Sequence, residues 1–121
     1  MFVKILSAAS WLMILGLVVV TILPADQRPT IDLRHDVAHF LAFSLAGATF
    51  GLASARYLAV NLLIGVAFAL VLELSQIPLP TRHARFEDFV VDAAAACLGI
   101  VLAYGCRKLI GAWSVRPSHA L

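Results

Sequence analysis

The chain has 121 residues, of which 62% are hydrophobic and 13% charged, and its formal net charge is +2. A soluble domain is about 45–50% apolar and about 25% charged, and a globule this small keeps much of its surface in water. The composition therefore excludes an ordinary cytosolic enzyme, a disordered chain and a nucleic-acid-binding domain, and points to an integral membrane protein with apolar side chains facing lipid on every helix.

The first apolar run covers residues 2–23 and is broken only by Lys4, Ser7, Ser10 and Thr21. It is long enough to cross a hydrocarbon core of about 30 Å. No small-x-small cleavage site precedes Pro24, so an uncleaved helix is expected rather than a signal peptide. A polar stretch with Pro24 and Pro29 follows and reads as a loop. Apolar segments at 36–54 and 57–76 are separated by a tight turn at Arg56. Proline and charge then mark a second long loop, from Ile77 to Glu87. The fourth apolar segment covers 88–110, and a tail at 111–121 is expected to fray. The expected fold is all-α: one domain over 1–121, an integral membrane four-helix bundle with both termini on the same side.

Lys4, Arg56, Arg107, Lys108 and Arg116 fall on the terminal side; Arg28, Arg34, Arg82 and Arg85 fall on the other, together with Asp26, Asp32, Asp36, Glu87 and Asp88. The terminal side is the purely basic one, which predicts a multi-pass protein of the bacterial cytoplasmic (inner) membrane with N-in and C-in orientation. Cys97 and Cys106 share one predicted helix about 13 Å apart, too far for a bond within it. Small residues recur at four-residue spacing: Gly47 and Gly51; Gly65 and Ala69; Ala95, Gly99 and Ala103. Such stripes let helices approach closely in lipid. They read first as packing within the bundle, and they also offer faces for a homo-oligomer.

The informative residues are polar ones inside or beside the spans. Asp36 and His39 are three apart and share a face at the start of span two. Glu73 and Gln76 are three apart at the end of span three, and Glu73 continues the Gly65/Ala69 stripe toward the bundle interior. Asp88 and Asp92 are four apart at the start of span four. The topology puts His39, Glu73 and Asp92 at similar depth near one membrane face, below a loop that carries Arg82 and Arg85. A carboxylate within a span costs roughly 2.5–3.5 kcal/mol on insertion scales, so Glu73 and Asp92 need His39 or a loop arginine as partner, or water, or a proton. An Asp92–Arg85 pair is one expected compensation. The plainer alternatives are that Asp88 and Asp36 cap their helices, that His39, Glu73 and Asp92 only fix helix register, and that the arginines contact lipid phosphates.

Two motifs at these residues resemble the VanZ-like family, small membrane proteins named for an association with resistance to a glycopeptide antibiotic. Asp36-Val-Ala-His39-Phe40-Leu-Ala-Phe43 is similar to the family's D-K-x-x-H-F-x-x-F, and Glu73-Leu-Ser-Gln76, Pro80-Thr-Arg82, Asp88 and Gly99 are similar to its E-x-x-Q…P-x-R…D…G. The resemblance covers the chain from Asp36 to Gly99. It departs at Val37 (family Lys), at Arg85 (a small hydroxyl residue), at Asp92 (Asn) and at Ala95 (Gly). The antibiotic link implies a site at the outer face of the cytoplasmic membrane, where cell-envelope precursors and lipid headgroups are handled.

Three functions compete. In the first, Arg82 and Arg85 hold an anionic lipid-linked or cell-wall component, with Asp36, Gln76, Asp88 and Asp92 completing the site and His39 and Glu73 as a candidate catalytic proton-transfer pair. In the second, the chain is a noncatalytic scaffold that alters envelope properties or antibiotic susceptibility through partners. In the third, ranked last, it moves ions or holds a divalent metal on His39, Glu73, Asp88 and Asp92. The inner halves of the spans are apolar and no strong metal spacing is present, so no metal and no cofactor are expected.

Overall fold

The computed structural model describes residues 1–23, 35–54, 57–79 and 85–114, without the side chains of 35, 36 and 112–114. These residues form four helices: α1 (Phe2–Ile22), α2 (His35–Ala53), α3 (Leu58–Ser75) and α4 (Phe86–Ser114). Three are long and apolar enough to cross a membrane: Phe2–Ile22, Leu58–Ser75 and Phe86–Gly111. The apolar part of α2, Val37–Ala53, is shorter. The helices are apolar on nearly all sides, as helices surrounded by lipid must be, and large side chains such as Leu12, Leu63, Leu102 and Leu109 point outward.

The all-α bundle is as expected, with adjustments at both ends of α4. It begins at Phe86 rather than Asp88, so Glu87 and Asp88 both lie in its first turn. It also continues to Ser114 rather than ending near Ile110. Gly111 does not stop it, since one glycine in a helix costs only about 1 kcal/mol. At 1.5 Å per residue its 29 residues run about 43 Å, longer than a hydrocarbon core.

The largest contact in the bundle is between α2 and α4, then between α3 and α4 and between α1 and α2; α3 barely touches α1 or α2. Helices α2 and α4 run parallel. His39 meets Asp92 near their N-terminal ends, and near their C-terminal ends the Arg107 guanidinium donates to the Leu52 carbonyl at 2.6 Å. That cation also answers the negative end of the α2 dipole. Met13 of α1 receives the Thr49 hydroxyl, and Asn61, buried at the start of α3, donates to the Ser54 carbonyl and closes the α2–α3 connection. With α1 and α3 antiparallel to α2 and α4, the start of α1 and the end of α4 lie at the same end of the bundle.

Glycine lets α2 and α4 touch. A Cβ on Gly47 would overlap the Ala96 carbonyl oxygen, and one on Gly99 would overlap the Ser44 carbonyl oxygen and crowd the Ala48 nitrogen. Gly51 rests on Ile100 and Ala103, and the α4 stripe of Ala95, Ala96, Gly99 and Ala103 is buried. The small-residue faces that the sequence offered for a homo-oligomer are thus occupied within the chain. Gly16 and Gly105 face open space. Gly47→Ala or Gly99→Ala should destabilise the protein by about 1–3 kcal/mol, as overpacking against backbone does. Gly105→Ala should be neutral or better. Thermal unfolding in detergent checks both, and equal effects at all three positions would contradict this packing.

Candidate functional site

The parallel pairing of α2 and α4 places two helix N-termini at one end of the bundle, beside the C-terminus of α3. His39, Asp92 and Glu73 sit there within about 3–9 Å, along the axis, of the nearest end of their own helices. His39 Nδ1 lies 3.2 Å from one oxygen of Asp92 and 3.3 Å from the other. Asp92 is buried, while the His39 side chain is about a quarter exposed. A carboxylate is acceptor-only, so Nδ1 carries the proton and donates it. Nε2 is then the nitrogen through which the imidazole meets other groups. A carboxylate that fixes the tautomer and orientation of a histidine in this way prepares it for acid–base work. One face of the imidazole stacks on Phe43, with ring centroids 6.2 Å apart and 22° between planes.

Glu73 is buried on the α3 stripe that begins at Gly65 and Ala69 and faces α4. Its Oε1 accepts the backbone N–H of Arg85 at 2.5 Å. Arg85 is the residue just before α4, and its carbonyl accepts the amides of Asp88 and Phe89. The Glu73 carboxylate therefore caps α4 from a different helix, meeting an otherwise unpaired amide at the positive end of the dipole. Asp88, Asp92 and His39 are all near enough to act on Glu73 electrostatically. Four ionisable groups from three helices thus share one site.

The Arg85 guanidinium does not pair with Asp92. It lies on the surface, 3.3 Å from Glu87, with both side chains mostly exposed. Of the two partners expected for Asp92, a loop arginine and His39, it meets His39; the helix start at Phe86 turns the Arg85 side chain outward and leaves its amide facing inward. Likewise His39 is bonded to Asp92, and Glu73 to the Arg85 amide. Asp88 occupies the first turn of α4, half-buried, where an acid favours the dipole. Gln76 is buried at the C-cap of α3, where its backbone N–H donates to the Glu73 carbonyl. Asp36 belongs to the first turn of α2, but its side chain lies outside the described residues, as does Arg82. Among the described residues no group of three or more His, Cys, Asp or Glu could hold a metal ion.

Sequence reasoning missed the Arg85 amide, which as a backbone group has no signature of its own. It also passed over Asn61 and the Arg107–Leu52 bond; a lone amide in the apolar run of α3 was the signal for the first. Glu73→Leu should remove the α4 cap at a cost of about 0.5–2 kcal/mol, whereas Glu73→Gln keeps an acceptor oxygen and should lose less. Hydrogen exchange at the amides of residues 85–88 should quicken in the leucine variant only. Unchanged exchange there would contradict the capping role.

No protein-family model, no curated protein and no solved structure matches this chain.

Proposed function

We propose that this chain is a VanZ-like protein of the bacterial cytoplasmic membrane, crossing it four times with both ends in the cytoplasm. Its polar site at the outer face binds, or acts on, an anionic lipid-linked or cell-envelope component. The observation that carries this reading is the His39–Asp92 pair. A histidine held by a buried carboxylate, close to Glu73 and Asp88 at one end of an otherwise apolar bundle, is a costly arrangement in lipid, and ionisable groups at such depth mark functional sites by default.

The roles divide by charge. Three carboxylates around one histidine do not attract an anion; the arginines do that. Arg85 is exposed at the mouth of the site, and Arg82 lies in the same connection between α3 and α4. A guanidinium binds phosphate or carboxylate bidentately. Behind it, His39 gives or takes a proton through Nε2 while Asp92 holds the ring. The noncatalytic scaffold keeps one observation in its favour. Both buried acids are partnered from within the chain, Asp92 by His39 and Glu73 by the start of α4, which is what a register-fixing network needs.

Lipid analysis by mass spectrometry of the protein purified in mild detergent separates the two. Wild type should retain phosphate-bearing anionic lipid in excess over zwitterionic lipid, and Arg82→Ala/Arg85→Ala should lose about tenfold of that excess, the equivalent of one charge-assisted bond of about 1.5 kcal/mol. Identical lipid profiles in both proteins would contradict the binding reading and leave the scaffold.

A further inference from the structure

A cavity of about 220 Å³ lies inside the bundle, one helical turn from the polar site. Its walls include Trp11 of α1, Phe43 and Phe50 of α2, Ile64 and Phe68 of α3, and Ile100 of α4. Glycine and alanine at 46, 47, 65 and 96 leave the space between these larger side chains. Among the described residues no charged side chain lines it. The floor is buried: Ile100 is 1% exposed and Ala96 4%. The rim is open, with Trp11 at 67% and Ile64 at 47%, because α1 and α3 scarcely meet.

The size and chemistry of this space select its occupant. Water is disfavoured, since a buried water needs two to four polar partners and apolar cavities stay dry. A partner helix, about 10–12 Å across with its side chains, cannot enter so small a volume. What remains is slender, flexible and apolar, and the solvent of this region of a membrane-spanning bundle supplies it. We propose that the cavity is a binding site for one acyl chain of a membrane lipid, entered through the gap between α1 and α3. Phe43 connects it to the polar site: its ring forms a wall of the cavity and stacks on His39, which holds Asp92. A chain seated against Phe43 has its headgroup on the side of His39. That headgroup assignment rests on the proposed function; the acyl-chain site rests on the cavity alone.

Photolabelling tests it. The protein is placed in phosphatidylcholine vesicles holding traces of either phosphatidylglycerol or phosphatidylcholine with a diazirine in the middle of one acyl chain, irradiated, and mapped by peptide mass spectrometry. Lipid surrounding the bundle can reach Leu63, Leu70 and Leu102, which face outward, but not Ala96 or Ile100. Label at Ala96 and Ile100 in wild type, lost in Ala46→Phe, which fills the cavity, supports the proposal. Should Ala46→Phe fail to fold, Ile64→Trp at the exposed rim obstructs the entrance and must give the same loss. Label confined to the outward residues, or interior label that survives the obstruction, overturns it. Equal interior labelling by the two lipids supports the acyl-chain site while counting against the anionic headgroup reading.

Discussion

Backbone contact between α2 and α4, made possible at Gly47 and Gly99, sets the distance on which the rest of this structure depends. At that separation the Ala96 and Ser44 carbonyls lie where glycine Cβ atoms would otherwise be, and the two helices run parallel in register. The register brings His39 to Asp92 at one end of the seam and Arg107 to the Leu52 carbonyl at the other. In water such bonds add little beyond the water they replace. In a hydrocarbon layer no water replaces them, so an acid as buried as Asp92 depends on its neighbour. Close packing and charge compensation are therefore two aspects of one contact. Wider spacing would separate the imidazole from the carboxylate.

The third helix adds a different solution to the same problem. Glu73 has a peptide amide as its partner, supplied where the chain turns into α4. Between them, α2 and α4 satisfy both buried acids of the site, with an imidazole and a helix start. The Arg85 side chain is then not consumed by the interior; among the described residues its guanidinium meets the exposed Glu87. This division lets an acidic interior coexist with a basic rim.

Much of this was legible in the sequence. Length and apolarity gave the helices, because lipid imposes them directly. The four-residue stripe of Gly65, Ala69 and Glu73 gave the inward direction of the glutamate, and the alternating topology gave the shared depth of His39, Glu73 and Asp92. What remained hidden depended on features without a side-chain code. The start of α4 at Phe86 lacks a strong capping residue of its own, because Glu73 caps it from another helix. That start then decides which way Arg85 points. The end of α4 beyond Gly111 reflects how little one glycine costs a long helix. The cavity beside Phe43 arises from the volumes of eleven residues on four helices, a quantity that no periodicity records.

The claim that α2 and α4 hold a mutually dependent pair is most directly measured by a double-mutant cycle on His39 and Asp92. The readout is unfolding free energy in detergent for wild type, His39→Leu, Asp92→Leu and the double variant. Each single change leaves one member of the pair without the other, while the double change removes both. The account predicts that the double variant is less destabilised than the sum of the singles, with a coupling energy of about 1–3 kcal/mol. Additive effects within about 0.5 kcal/mol would show that the two side chains do not hold each other, and would contradict it.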